Sequence, residues 1–229
     1  KVWQINLHHC KLASDNLVSE VNKMKIKPIL LVQEPYLYRE KALLRLPNYD
    51  VHFCGKNNRS LIALPRQSKA FFIHDISDKD TIAVLLEEEV PCTNDSKSTS
   101  TLKYLLVSAY LDILDKKVIS PGLEKCASFS KNNIIPMVIG MDSNAHSTLW
   151  GCEQNNKRGD TLEEFILEQN LSVMNVGCTS TFVTQRAKSI IDITLVSNTI
   201  ADKVVNWNVN KEYQFSDHRR LEFALKYIY

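Results

Sequence analysis

The chain has 229 residues, of which 44% are hydrophobic and 24% charged, and its 28 Lys and Arg nearly balance 26 Asp and Glu at a net charge of +2. These proportions are those of an ordinary globular protein, and they exclude the strongly basic footprint of a sequence-reading helix while permitting a nucleic-acid partner. The length accommodates one substantial domain, 1–229, and no apolar run approaches the roughly 20 residues that span a bilayer, so no membrane partner is expected.

Val2 to Asn6 alternates as a strand does and ends on an amide. Lys11 to Lys25 carries Leu12, Leu17, Val18, Val21 and Met24 at helical spacing. Ile29 to Val32 is a continuous apolar strand ending in Gln33-Glu34-Pro35. From Tyr49 to Leu86 short runs (Tyr49 to Phe53, Ser60 to Leu64, Ala70 to His74, Thr81 to Leu86) have the spacing of an antiparallel meander, and polar Glu87 to Thr101 reads as an exposed loop. Tyr104 to Tyr110 predicts a strand, Val118 to Ser130 a helix, Pro136 to Gly140 a buried strand and Thr161 to Asn170 a helix. Leu171 to Val176, Ser189 to Val196, Val204 to Val209 and Leu221 to Leu225 complete the strands.

Cys10, Cys54, Cys92, Cys126, Cys152 and Cys178 are spread evenly with no Cys-x-x-Cys pair, unlike a disulfide scaffold, and read as reduced thiols of an intracellular protein. Lys1 is not an initiator methionine, so the chain reads as a piece excised from something longer or as a processed product.

The polar residues that interrupt or end apolar strands are Asn6, Glu34, Tyr110, Asp142, Asn144, Asp192, Asp217 and His218. Asp192 is the most telling. It sits inside Ile190-Ile191-Asp192-Ile193-Thr194-Leu195-Val196, where an unpaired charge is costly to bury, and a histidine donating its ring N–H would suit it. If the chain stays extended past Gly140, Asp142 and Asn144 point the same way and share one rim, where α/β sheets bind ligands. Asp-Ser-Asn also fits an Asx-type turn, Asp217-His218 a simple turn, and Glu34 before Pro35 a strand end. Singly these residues decide nothing; their joint occurrence is harder to dismiss.

In this order Asn6, Gln33-Glu34-Pro35, Tyr110, Asp142-Ser143-Asn144-Ala145-His146, Ser189 to Thr194 and Ser216-Asp217-His218 resemble the endonuclease/exonuclease/phosphatase superfamily, in its abasic-endonuclease-like branch. More closely, Asn144-Ala145 with Trp150-Gly151, Arg158-Gly159, Thr181-Phe182 and Ser-x-Ile-Asp-x-Thr are similar to the endonuclease domain of non-LTR retrotransposons of the R1, TRAS and Jockey kind. The resemblance runs from Val2 to Phe223. His8 stands where abasic-site repair enzymes of the superfamily carry an Asp, which argues for the retrotransposon branch.

The resemblance implies a DNase I-like four-layered α/β sandwich, with two mostly antiparallel sheets packed face to face and helices outside. It implies a Mg²⁺-dependent endonuclease, with Mn²⁺ as an alternative, that nicks double-stranded DNA and leaves a 3′-hydroxyl to prime reverse transcription. Glu34, Asn6 and Asp217 would hold the metal, hard oxygen donors being what Mg²⁺ takes. Asp142 would orient or activate the attacking water, Asn144 and Tyr110 bind the phosphate, and Asp192 hold His218, which is either the base or a phosphate-stabilising cation. Arg186 and Lys188, on a hairpin between Thr181-Phe182 and the Asp192 strand, and Arg158 would contact DNA. The implied partners are the DNA target and a reverse transcriptase domain in the same polyprotein, with the isolated domain monomeric and its site of action nuclear. The rival readings are an abasic-site repair endonuclease or other phosphoesterase of the superfamily, and a catalytically inactive binding module.

Overall fold

The computed structural model describes residues 1–92 and 95–226, residues 91, 92 and 95–99 by their backbone. The chain forms β1 (Val2–Asn6), α1 (Lys11–Lys23), β2 (Ile29–Gln33), β3 (Tyr49–His52), β4 (Ser60–Pro65), β5 (Lys69–Phe72), β6 (Thr81–Cys92) and β7 (Asp95–Tyr110). Then come α2 (Pro121–Asn133), β8 (Met137–Asp142), α3 (Lys157–Glu168), β9 (Leu171–Val173), β10 (Asp192–Ser197), β11 (Val204–Val209) and β12 (Leu221–Leu225). One six-stranded sheet runs β11-β12-β1-β2-β4-β3 and the other, also six-stranded, β9-β10-β8-β7-β6-β5. Each contains one parallel pair, β1 with β2 and β7 with β8, and a parallel pair needs a crossover, here supplied by α1 and α2. The other pairings within the two sheets are antiparallel.

Alternation along the strands sorts apolar side chains into three layers. Trp3, Ile5, Leu30 and Val32 face α1 and pack on its Leu17 and Val21. Leu105, Val107, Ile139 and Leu195 face α2 and α3, meeting Leu123, Cys126, Leu162 and Phe165. Val2, Leu31, Ile62, Val84, Leu106, Val138 and Val196 fill the space between the sheets. The sequence of layers is helix, sheet, sheet, helix, as the resemblance implied.

Local chemistry sets the helix ends. Ser120 accepts from Leu123 N at the start of α2, with Pro121 in the first turn where its missing N–H costs nothing. Asn156 caps α3 by accepting from Gly159 N at 2.8 Å and from His146 N at 3.2 Å, so one side chain ties the helix to the segment leaving β8.

Three expectations need correction. The runs from Tyr49 to Leu86 are not one meander: β3 and β4 join the first sheet and β5 and β6 the second, the chain crossing between Pro65 and Lys69. Alternation shows that a segment is a strand without showing which sheet it joins. Glu87 to Thr101 is not a loop, because β6 and β7 continue as paired strands with Glu87 opposite Lys103 and Glu89 opposite Thr101; residues 93 and 94 of that stretch lie outside the described residues. Its charges are cross-strand partners, Glu87 meeting Lys69 and Lys103 at 2.9 Å each. The strand expected over Ser189 to Val196 is interrupted, since the Ile190 carbonyl accepts from Trp150 Nε1 and the Ile191 carbonyl from Ser143.

The pairing of Arg158 with Gly159 has a steric reason. A Cβ at Gly159 would lie 1.8 Å from the His146 carbonyl oxygen, a backbone atom with no room to yield. Gly159→Ala is expected to destabilise the fold by about 3 kcal/mol, the upper range for overpacking. Urea unfolding reads this as a lower midpoint at unchanged slope, and an unchanged midpoint would show that the segment after β8 yields freely.

Candidate active site

The side chains that face across the two sheets fall into three tiers. The first is apolar: Val2, Leu31, Leu106, Val138 and Val196. The second, one pleat further, is Gln4, Gln33, Ser108, Gly140 and Thr194. Gln4 Nε2 donates to the Met141 and Ile193 carbonyls, Gln33 Nε2 to Ser108 Oγ and the Gly140 carbonyl, and Thr194 Oγ1 to Gln4 Oε1. Packing between the sheets leaves no room for a side chain here, where a Cβ on Gly140 would sit 2.8 Å from Leu31 Cδ1 and 2.9 Å from Gln4 Oε1.

The third tier, at the rim, is Asn6 on one sheet and the row Tyr110, Asp142 and Asp192 on the other. Asp142 is the register partner of both Tyr110 and Asp192. Asn6 Nδ2 bridges the gap, donating to Asp142 Oδ2 at 2.8 Å and to Glu34 Oε2 at 3.0 Å. His218 Nδ1 lies 2.9 Å and 3.0 Å from the two oxygens of Asp192, and its Nε2 is 3.9 Å from Asp142 Oδ2. The Phe182 ring packs edge-on against the imidazole at 4.9 Å between centroids. Glu34, Tyr110, Asp142, Asn144, Arg158 and His218 all line one cleft of about 470 Å³.

The chain leaves these strand ends in left-handed turns, at His8 (φ 48°) and His9 (φ 49°) after β1, Glu34 (φ 43°) after β2 and Asn144 (φ 46°) after β8. Asn tolerates that region; for Glu and His it costs on the order of 1 kcal/mol each, strain that collects at sites where side-chain direction matters more than local stability. Asn144 N donates to Asp142 Oδ1 at 3.2 Å and its Nδ2 to the Leu111 carbonyl at 3.2 Å. The Asx turn and the cleft residue are therefore the same feature, and β8 does not continue extended to Asn144 as the strand argument supposed.

Charge is concentrated and poorly solvated. Asp142, Asp192 and His218 are 2%, 1% and 5% exposed, and each offers a ligand atom within 4.8 Å of the others. Burial, with the Asp192 charge beside it, raises the Asp142 carboxyl well above the usual carboxylate range, against the pull of His218 and Asn6. Burial alone would depress His218; the charges of Asp192, Asp142 and Glu34 outweigh it and push the ring up to about 9 from 6.5. Tyr110 is raised by burial and by Glu34 and Asp142. Asp192 spends both oxygens on His218, leaving Glu34 and Asp142 as hard oxygen donors facing the cleft. This donor set, with its excess of negative charge, fits a divalent cation of the Mg²⁺ type, which takes one or two carboxylates and keeps its waters.

A protein-family profile described as endonuclease-reverse transcriptase matches residues 104–222, just over half of the chain and the part that carries Tyr110, Asp142, Asp192 and His218. The chain belongs to the endonuclease-reverse transcriptase family. Over 93 residues, 36% of the chain, it is 32% identical to the 115 kDa protein of the type-1 retrotransposable element R1DM of Drosophila melanogaster, and the matched segment spans 9% of that protein. The fold is similar to the endonuclease domain of TRAS1, a telomere-specific non-LTR retrotransposon, with TM-score 0.79 and 25% identity over 99% of this chain and 98% of that one. It is also similar to the AP endonuclease LMAP of Leishmania major, with TM-score 0.74 and 14% identity over 99% of this chain and 87% of that one. The likenesses are thus to a retrotransposon protein in sequence and to a retrotransposon endonuclease domain in fold.

Within the endonuclease domain the expected residues do not all converge. Asn6 turns its NH₂ toward the carboxylates because its oxygen accepts from His8 N at 2.7 Å, so it orients Glu34 and Asp142 instead of offering a ligand atom. Asp217 is absent from the cleft lining, its side chain 45% exposed and 3.6 Å from His8, which does line the cleft. Arg158 gives Nε to the Asn144 carbonyl and its Nη atoms to the Asp115 and Leu111 carbonyls, which makes it a brace for the cleft wall instead of a free DNA contact. Arg186 is exposed at the tip of the hairpin formed by Phe182–Val183 and Lys188–Ser189, and Lys188 lines an adjoining cleft of about 460 Å³.

Sequence reasoning missed two kinds of support. Thr181 Oγ1 accepts from the Ile191 and Asp192 amides at 3.1 Å and 3.0 Å, holding Asp192 in place. Arg59 donates to Asp80 and Asp112 and lays its guanidinium 4.8 Å over the Tyr110 ring. Nothing in Asn58-Arg59-Ser60 signals that role.

The coupling of His218 to Asp192 has a measurable consequence in the metal-free domain. NMR titration should show the ring protonated through neutral pH and losing its proton near 9, with Asp192→Asn bringing it back toward 6.5. Because the folded value lies above the unfolded one, the stability this pair contributes is full below about 6.5 and is lost as pH rises through about 9. A ring that titrates near 6.5 in the unaltered domain would contradict the geometry.

Proposed function

We propose that this domain nicks double-stranded DNA by Mg²⁺-dependent hydrolysis of a phosphodiester. The P–O3′ bond breaks, and the 3′-hydroxyl so released primes a reverse transcriptase domain carried on the same polyprotein. The observation that carries the reading is the row Tyr110–Asp142–Asp192, bridged by Asn6 to Glu34 and closed by His218, with Glu34, Tyr110, Asp142 and His218 lining one cleft.

Asp142, raised by its burial, accepts the proton of the attacking water and keeps that water in line. Asp192 fixes the tautomer and direction of His218, whose imidazolium faces the phosphate and offsets charge developing on its oxygens. Asn144 and Tyr110 orient the phosphate by hydrogen bonds from their NH₂ and OH groups. Glu34, steadied by Asn6, would hold Mg²⁺, or Mn²⁺ in its place; when bound, the ion supplies neutralisation of the phosphate charge and relief for the leaving oxygen. The exposed hairpin with Arg186 and Lys188 borders the cleft through Phe182 and Ser189, and its two cations would contact the DNA backbone. The domain acts as a monomer, in the nucleus.

Relaxation of supercoiled plasmid tests this directly. The purified chain should nick in Mg²⁺ and stop on chelation, and Glu34→Gln and His218→Ala should each lower the rate by about 10²- to 10⁴-fold, the range for loss of one acid–base or charge-stabilising group. A polymerase should extend the nick without end repair. Unimpaired nicking by either variant, or a nick that no polymerase extends, would refute the assignment.

A further inference from the structure

The residues leaving β7 form an unusual wall for a polar cleft. Ile113 and Leu114 are adjacent and 61% and 86% exposed, and Ile113 lines the cleft together with Tyr110, Asn144 and His218. Single exposed aliphatics are ordinary on protein surfaces. This pair differs in sitting on a backbone that is hydrogen-bonded on both sides. Asp112 accepts from Arg59 through one oxygen and from Leu114 N at 2.9 Å through the other. On the other side Arg158 donates to the Leu111 and Asp115 carbonyls at 3.3 Å and 3.2 Å, and Leu111 N donates to the Asp142 carbonyl at 2.9 Å. The aliphatic tip is thus fixed relative to Asp142 by a short chain of hydrogen bonds.

A second observation says why such a tip is needed. The reacting groups are sunk, with Asp142 and His218 at most 5% exposed, whereas a straight duplex presents its phosphates on a convex, stiff surface. We propose that Ile113 and Leu114 form an apolar wedge that enters a base step beside the scissile phosphate, unstacks it and bends the backbone down to Asp142 and His218. Branched aliphatic side chains are the kind that serve as wedges at kinked steps. Their continuity with the cleft favours DNA as the occupant over another protein. The inference rests on the DNA-nicking reading above and adds to it that cutting requires a deformed duplex.

The test uses the nick site mapped with the unaltered chain, built into two duplexes, one fully paired and one carrying a mismatch at the cleaved step. The double variant Ile113→Ala, Leu114→Ala should lose at least tenfold in nicking of the paired duplex and less than threefold on the mismatched one, where unstacking is already done. 2-Aminopurine placed at the step should brighten when the unaltered chain binds and stay dark with the variant. A general folding defect would lower both duplexes alike, and that outcome overturns the wedge. Equal nicking of the paired duplex by both proteins, as a patch reserved for docking another protein would give, overturns it too. Failure of the unaltered chain to nick any duplex refutes the nuclease reading and the wedge with it.

Discussion

The amides of Gln4, Gln33 and Asn6, reaching across from one sheet to the other, set the offset on which the site depends. Each such bond nets only about 1 kcal/mol, but a buried amide left without partners costs about 1–3 kcal/mol. The sheets are therefore held in register less by what the bonds gain than by what any slipped arrangement would lose. Gly140 is the complement of this constraint: it omits a side chain that would collide with Leu31 and Gln4 where Gln4 crosses. Once the second tier is locked, the third cannot be elsewhere, since strand alternation carries Asn6 and Asp142 one pleat beyond Gln4 and Gly140.

That third tier is electrostatically unfavourable by itself. Glu34, Asp142 and Asp192 crowd one imidazole, and burial raises Asp142 while those charges hold His218 protonated. The surrounding fold tolerates this because each group is tied by its own neighbours: Asp192 by the Thr181-anchored amides, Glu34 by Asn6, and the segment before His218 by Ser216, which donates to the Asn6 carbonyl. The left-handed residues at the strand ends point the same way. Local stability is given up where side-chain placement matters.

Arginine use separates scaffold from contact surface. Arg158, expected from the resemblance to contact DNA, and Arg59, which the sequence does not single out, are both spent on internal acceptors, Arg59 on the carboxylates of Asp80 and Asp112 beside Tyr110 and Arg158 on three carbonyls of the cleft wall. A planar fork with five donors suits such bracing better than a lysine would. The cations of the exposed hairpin, Arg186 and Lys188, are differently placed, on an element that stands out from the sheets.

Most strands and the three α-helices of the described residues could be read from periodicity, because period 2 and period 3.6 are written into neighbouring residues. So was the need for a partner to Asp192, since a charge inside an apolar run announces its own problem. The division of Tyr49 to Leu86 between two sheets, and the continuation of β6 and β7 through a polar stretch, were invisible because sheet membership is decided by contacts far apart in sequence. The same holds for the fine assignment of the site. The sequence by itself determined which acids, amides and histidine were available and that they stood at strand ends. Only the tertiary structure decided that Asn6 turns its nitrogen to the carboxylates, that Asp217 is absent from the cleft lining and that Arg158 is a brace, because a side chain's role follows from which backbone groups from distant segments reach it first.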